Sequence, residues 1–322
     1  MRILSGVQPT GGLHLGNYFG AIKQHIELQD EGEAFYFIAN YHALTTVHDP
    51  RILEANTREV AAAYLSFGLD PNRTVFFRQS DVPEVTELTW LLGCCVGMGL
   101  LERAHSYKDK LQKGITPSFG LFAYPVLMAA DILAYRSNLV PVGRDQVQHV
   151  EMTQDMAQAF NHRYGEVFVR PEVRLSRTPK VPGVDGQKMS KSYGNTIELF
   201  AEGKALKKSV MGIVTDSTAL GQPLDPETCN VFQIFSLLAS AEERKTMAER
   251  YRTGDIGYGD AKKDLLARIE GHFTDAREKR RALLARPDEI EDVLRQGAKR
   301  ARAEAASVLD AARTAAGLGA TD

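Results

Sequence analysis

The chain has 322 residues, 43% of them hydrophobic and 25% charged, which is ordinary for a globular protein and excludes disordered, collagen-like and coiled-coil readings. At ~150 residues per domain this length allows about two domains and a substantial core. Lys and Arg total 39 against 41 Asp and Glu, a net charge of -2, so a uniformly basic nucleic-acid binder is disfavoured and only a local basic face stays open. No apolar run approaches the roughly 18 residues of a membrane span. The opening MRILSGVQPTGG lacks the charged-then-apolar layout of a signal peptide. Cys94, Cys95 and Cys229 form neither a disulfide framework nor a metal spacing. The expectation is a reduced, cytoplasmic chain with no dedicated metal site.

In chain order, Arg2 to Ser5 reads as a short strand, followed by a glycine-rich turn and a helix from about Asn17 that buries Phe19, Ile22 and Ile26. Ala34 to Ala39 is a nearly continuous apolar run, as expected of a strand covered on both faces. Arg51 to Phe67 carries apolar residues at helical spacing, with Gly68 ending the helix and Asp70-Pro71 turning the chain. Val75 to Phe77 and Leu139 to Val142 are further strands. Such alternation implies a parallel sheet wrapped by helices. After about Leu199 strand signals give way to amphipathic helices, broken at Gly221 to Pro226 and at Thr253 to Gly259. The last begins at Pro287-Asp288, puts Ile290, Val293, Leu294, Ala301, Ala305, Val308 and Ala312 on one stripe, and ends at Gly317.

Two segments carry chemistry. Pro9 to Asn17, PTGGLHLGN, lies between the first strand and the first helix, where parallel α/β folds bind ligands beside helix N-termini that attract phosphate. His14 there has an N–H to give a phosphate oxygen, and Gly16 leaves room for an adenine ring. The plainer alternative is a tight turn whose His14 caps a helix. The second segment, Gly186 to Ser192, reads GQKMSKS in a polar loop entered through Pro179 and Pro182-Gly183. Two lysines among small hydroxyls suit a mobile loop closing on a polyphosphate, although a solvated charged loop has the same composition.

In order and separation, His14-Leu15-Gly16-Asn17 and Lys188-Met189-Ser190-Lys191-Ser192 resemble the two signatures of class I aminoacyl-tRNA synthetases. The resemblance is closest to the bacterial tryptophanyl-tRNA synthetase family and runs over nearly the whole chain. It includes Ser5 to Gly11 (SGVQPTG), Leu127 to Leu133 (LMAADIL), Val140 to His149 (VPVGRDQVQH) and the closing Gly317-Leu318-Gly319. It implies an α/β fold with a Rossmann-type parallel-sheet catalytic domain over residues 1–184. A mobile signature loop and helical anticodon-binding domain follow over 185–286, and a C-terminal helix over 287–322 returns to the catalytic domain.

The family's roles carry over position by position. Asp131 matches the carboxylate that accepts the indole N–H, Met128, Val140 and Val142 match apolar walls, and Gln146 and His42 lie where the family meets the polar end of tryptophan. A competing role for Asp131 is pairing with a base such as Arg136. Gln8, Pro9, Thr10, Gly16 and Asn17 match the first ATP contacts, Gly143, Arg144 and Asp145 those to ribose and adenine, and Val181 a backbone contact to the base. Lys110 matches a lysine that reaches pyrophosphate. Lys188, Met189, Ser190, Lys191 and Ser192 form the phosphate loop, with His14, Lys188 and Lys191 as the catalytic groups.

The sequence departs from better-known members at Arg144, where an acid is usual, at Asn40-Tyr41 in place of Asp-Gln, and in the shorter loop before Lys188. The implied reaction activates L-tryptophan with ATP, Mg2+ riding mainly on the phosphates, then transfers tryptophan to tRNA(Trp). A homodimer is implied by the resemblance alone. Arg277, Lys279, Arg280, Arg281 and Arg286 cluster where the family reads the anticodon, or equally form a solvated helix face. The rivals are a tyrosyl enzyme, disfavoured because the chain ends in one long helix without an appended RNA-binding module, an inactive regulator, and a smaller nucleotidyltransferase.

Overall fold

The computed structural model describes residues 1–104, 107–108, 116–175 and 180–319. Two compact units emerge. The first comprises Met1–Gly11, His25–Arg177 and Leu283–Asp322, and the second Gly12–Gln24 and Thr178–Ala282.

The first unit is built on five parallel strands: β1 (Arg2–Val7), β2 (Glu33–Ile38), β3 (Val75–Arg78), β4 (Leu139–Val142) and β5 (Glu172–Leu175), in the order β3-β2-β1-β4-β5. Register runs Ile3 to Ala34, Phe35 to Val75, Ile3 to Leu139 and Leu139 to Glu172. This is the expected Rossmann-type sheet. Ala34 through Ile38 are all buried, which explains why β2 lacks alternation: helices cover both faces. β5 escapes the sequence reading because it is an edge strand, EVRL, whose Arg174 pairs with Glu31 at 2.6 Å and whose residues stay partly exposed.

Helix ends follow capping chemistry. Asp49 Oδ1 accepts the N–H groups of Arg51 (2.8 Å) and Ile52 (3.4 Å) to start the Pro50–Ser66 helix. Gly68 leaves it at φ 96°. Ser118 Oγ accepts Leu121 N–H at 3.2 Å to start the Phe119–Leu133 helix. The last helix, Pro287–Ala315, packs on β3 and on the Glu84–Gly93 helix. Its buried stripe is wider than expected: Val293 stays half-buried, while Gly297, Ala298 and Leu309 join the face. Arg78–Glu291 (2.9 Å) and the two-pronged Arg313–Glu87 contact flank it.

The chain's first helix is not the regular one expected. It begins at Leu15, widens into a π turn over Tyr18–Ile22 and continues as Lys23–Leu28. Phe19 and Ile22 are buried as expected, but Ile26 is only half-buried and His25 and Leu28 take the inner face. The wider turn rotates the following residues out of a 3.6-residue phase.

In the second unit the glycine-rich segment pairs with the chain that follows the lysine motif: Leu15 N–H donates to Ile197 O (3.0 Å) and Leu199 N–H to Leu13 O (2.8 Å). Helices Gly203–Met211, Asn230–Leu238, Ala241–Thr253 and Tyr258–Leu284 follow. Ser240 and Glu243 form a reciprocal capping box, and Gly254 closes that helix at φ 76°. Among the described residues no helix is long and apolar enough to cross a membrane.

Candidate active site

The Phe119–Leu133 helix delivers Asp131 into the core of the first unit, where it is 1% exposed. Its Oδ2 accepts a hydrogen bond from His42 Nε2 at 2.8 Å. Gln79 Nε2 donates to Oδ1 at 2.9 Å and to Oδ2 at 2.8 Å. Burial pushes the Asp131 carboxyl up, and the two donors counter that shift. Arg136, the rival partner, instead pairs with Glu304.

Tyr124, two helical turns before Asp131, sets its ring edge-on to His42 at 6.1 Å and bonds His149 through its hydroxyl. Val140 is buried in the same apolar cluster, with Met128 and Val142 packed against it. Gln146 turns its amide toward Asp145, at 3.4 Å. Gln79 and Tyr124 were missed in the sequence. Neither sits in a recognisable motif, and contact with His42 and Asp131 arises only from the fold.

β1 and β4 are neighbours whose connections leave in opposite directions, the point where open α/β sheets hold ligands beyond their carboxyl ends. β1 runs out into Gln8, Pro9 and Thr10, and β4 into Gly143, Arg144 and Asp145. Each turn is closed by a backbone bond, Thr10 N–H to Gln8 O and Gln146 N–H to Gly143 O, both 3.0 Å. A Cβ on Gly143 would lie 2.8 Å from Asp145 Oδ1. Arg144 and Asp145 are exposed.

In the second unit, the chain from Val181 to Met189 is a tight hairpin. Met189 N–H donates to Val181 O (2.9 Å) and Gly183 N–H to Gln187 O (2.7 Å). Val181 and Met189 are buried, and Lys188 is exposed. Ser190 and Ser192 bond each other at 2.8 Å. Asn195, 2% exposed, ties the loop together: its Nδ2 donates to Asp185 Oδ1 (2.7 Å) and Lys188 O (3.1 Å), and its Oδ1 accepts Ser190 N–H (2.8 Å). Asn195 was also missed, since nothing in its local sequence marks it.

His14 is buried beside this loop, with Nδ1 lacking a hydrogen-bond partner among the described residues. Burial first, and the Lys191 ammonium second, lower its pKa to about 4. The imidazole is therefore neutral near pH 7, with one N–H to donate. The capping at this point is done by Asn17, whose Oδ1 accepts His14 N–H at 3.0 Å. A Cβ on Gly16 would meet His14 Nδ1 at 2.8 Å, so that glycine makes room for the imidazole of its own motif. Desolvation lowers the Lys191 pKa, and Glu198 opposes the shift.

Lys110 lies outside the described residues. Of the basic cluster, Arg277 is buried at 4% exposure and donates to Glu270 O (3.0 Å), Arg281 pairs with Glu202 (2.8 Å), Arg286 with Glu289 (2.5 Å), and Arg280 covers the Phe200 ring. These four are engaged within the protein, and Lys279 is exposed.

Comparison with known proteins bears on the chain as a whole. The family described as tRNA synthetases class I (W and Y) matches residues 1–274. The chain is 54% identical to the tryptophan–tRNA ligase of Rhodopirellula baltica over 319 residues, covering 99% of this chain and 100% of that one. It is 51% identical over 303 residues to the Campylobacter jejuni tryptophan–tRNA ligase, covering 94% and 95%. The solved Campylobacter jejuni tryptophanyl-tRNA synthetase, complexed with ADP and tryptophan, superposes with a TM-score of 0.93 at 49% identity, covering 98% of this chain and 100% of that one. A tyrosyl-tRNA synthetase from Archaeoglobus fulgidus, 19% identical with a TM-score of 0.67, shares the fold. The chain belongs to the class I tRNA synthetases, within the family of tryptophan–tRNA ligases.

Proposed function

We propose that this protein joins L-tryptophan to tRNA(Trp) in two steps, with the amino acid chosen at Asp131. The observation that carries the choice is a carboxylate buried to 1% exposure and already held by two donors. Such a group accepts the indole N–H, which can only donate. Phenylalanine would leave it unpaired, at a cost of several kcal/mol. Tyrosine carries its donor at a different position on a smaller ring. Met128, Val140 and Val142 supply apolar walls, and His42 and Gln146 the polar end.

In the first step the tryptophan carboxylate attacks the α-phosphate of ATP. Its oxygen forms the new bond, pyrophosphate leaves with the electron pair of the broken bond, and tryptophanyl-adenylate remains. No enzyme nucleophile takes part, so catalysis is alignment and stabilisation of charge. Gln8, Pro9, Thr10, Gly143, Arg144 and Asp145 are assigned to the adenosine side. Gly16, Asn17, Val181, Met189, Ser190 and Ser192 are assigned to backbone and hydroxyl contacts. Lys188 and Lys191 carry the positive charge and neutral His14 donates one hydrogen bond, while Lys110 is assigned to the departing pyrophosphate. Magnesium would ride mainly on the phosphates, whose oxygens are the hard ligands it takes.

In the second step a terminal ribose hydroxyl of the tRNA, the 2′-hydroxyl by family resemblance, displaces AMP from the adenylate. We assign catalysis to residues 1–184, loop closure and anticodon contact to 185–286, and support of the catalytic domain to 287–322. A homodimer is supported by two exposed apolar side chains, Phe119 and Leu44, the latter bordering a mainly apolar cavity of about 370 Å³ beside Tyr41 and Leu127. The three free thiols are compatible with a reducing, cytoplasmic setting. The test is ATP–pyrophosphate exchange with tryptophan, tyrosine or no amino acid. Exchange with tryptophan alone is expected, and exchange with tyrosine would overturn the assignment of Asp131.

A further inference from the structure

Gln79 follows β3 directly, is 1% exposed, and belongs to neither signature motif. Its amide orientation is fixed by its neighbours. The backbone N–H groups of Tyr41 and His42 lie 3.0 and 3.3 Å from one of its terminal atoms. Both can only donate, so that atom is the carbonyl oxygen. The NH2 group must then face Asp131.

A carboxylate withdrawn from water tends to take up a proton unless donors replace its hydration. Among the described residues they come from two places, Gln79 Nε2 and His42 Nε2. An ionised carboxylate has about four lone-pair directions. Gln79 occupies one on each oxygen and His42 a second on Oδ2. The direction left over is on Oδ1.

We propose that Gln79 is a positioning residue that holds Asp131 as an anionic acceptor with one lone pair open on Oδ1, and so sets the preference for a ring carrying an N–H donor. This rests on the reading of Asp131 as the indole acceptor. Without the amide donors Asp131 keeps only His42, gains a proton more readily and becomes a neutral acceptor. Hydrogen bonds to ionised groups are roughly twice as strong as neutral ones, so the penalty for a ring lacking N–H shrinks. A role confined to fixing the Tyr41–His42 turn would weaken both kinds of ring alike.

The test compares kcat/KM in ATP–pyrophosphate exchange for tryptophan and for its analogue with sulfur in place of the indole N–H, in the full-length protein. The parent enzyme is expected to favour tryptophan at least about a hundredfold. Gln79→Met is expected to bring that ratio to about tenfold or less, mostly by raising the tryptophan KM. Gln79→Leu removes the same amide donors without adding a charge or a new donor, so it reads the same effect if the methionine variant does not fold. Asp131→Leu, which leaves no acceptor at that position, separates the two ideas. If it retains the parental ratio, Asp131 is not the indole acceptor. If it loses the ratio while folded Gln79 variants keep it, the assignment of Asp131 stands and that of Gln79 is overturned. Equal losses on both substrates in the Gln79 variants would also overturn it.

Discussion

Gly183 lies directly under Asn195: a Cβ at Gly183 would come within 2.3 Å of Asn195 Nδ2 and 2.7 Å of the Asn195 backbone oxygen. Asn195 in turn reaches Asp185, Lys188 and Ser190, so one buried amide holds the hairpin and the lysine motif in a single arrangement. Removing a partner from a buried polar network costs more than one hydrogen bond, because the groups left behind are unsatisfied. Asn195→Ala is therefore expected to lower exchange kcat by about tenfold and raise the KM for ATP, with the tryptophan KM little changed. Steady-state exchange with each substrate varied in turn checks this. A raised tryptophan KM with normal ATP kinetics would place the function of Asn195 elsewhere.

The Lys191 ammonium is partly desolvated beside neutral His14, which favours its use against phosphate charge in a low-dielectric setting. Loss of one such group typically costs ~3 kcal/mol of transition-state stabilisation, so Lys191→Ala should slow tryptophan activation roughly a hundredfold or more. Single-turnover formation of the adenylate is the direct readout. Near-normal activation by the variant would remove Lys191 from the catalytic assignment.

The parts legible in the sequence were those whose signal is local. The unbroken apolar run of β2, the capped Pro50–Ser66 helix and the two signature strings all declare themselves within a few residues. Asp131 was legible through the string around it. Gln79 and Asn195 were not: Gln79 bonds Asp131 from 52 residues away, and Asn195 acts by lying across a glycine twelve positions earlier. β5 was hidden by its charged, exposed edge, and Ile26 was misplaced by a π turn that periodicity cannot foresee. The close approach of His14 to Gly16, whose missing Cβ would meet the imidazole, is likewise a product of the fold.

Two buried imidazoles make stability depend on pH. His25, stacked on Tyr36 and bonded to Tyr64 at 2.7 Å, is held by burial at a pKa of about 4, and His14 is also at about 4. Unfolded, each takes a proton near 6.5. Between about pH 6.5 and 4 the unfolded chain binds more protons, so their stabilising contribution is complete above 6.5 and falls as pH drops toward 4. At pH 5 the His25 site costs ~2 kcal/mol, and the less fully desolvated His14 costs less. The thermal midpoint should fall markedly from pH 7.5 to 5, and His25→Gln should lessen that fall. An unchanged fall in the variant would show that His25 is not held neutral in the folded protein.

Gly297, in the middle of the Pro287–Ala315 helix, faces the backbone of β3 so closely that a Cβ there would lie 1.8 Å from Phe76 O and 2.6 Å from Phe76 C. Helix propensity alone would make Gly297→Ala stabilising by about 1 kcal/mol. The clash acts in the opposite direction and is larger, because a strand carbonyl cannot rotate aside as a side chain can, and relieving it means moving the helix off the sheet. Overpacking of this kind costs roughly 3 kcal/mol or more, so the net expectation is a midpoint lowered by several degrees. Gly271, exposed in the Tyr258–Leu284 helix with no atom near its missing Cβ, is the control. Gly271→Ala should raise stability by a few tenths to 1 kcal/mol. Thermal unfolding of the two variants beside the parent separates the terms: opposite signs support close helix–strand packing at Gly297. A stabilised Gly297→Ala would mean the helix stands farther from Phe76.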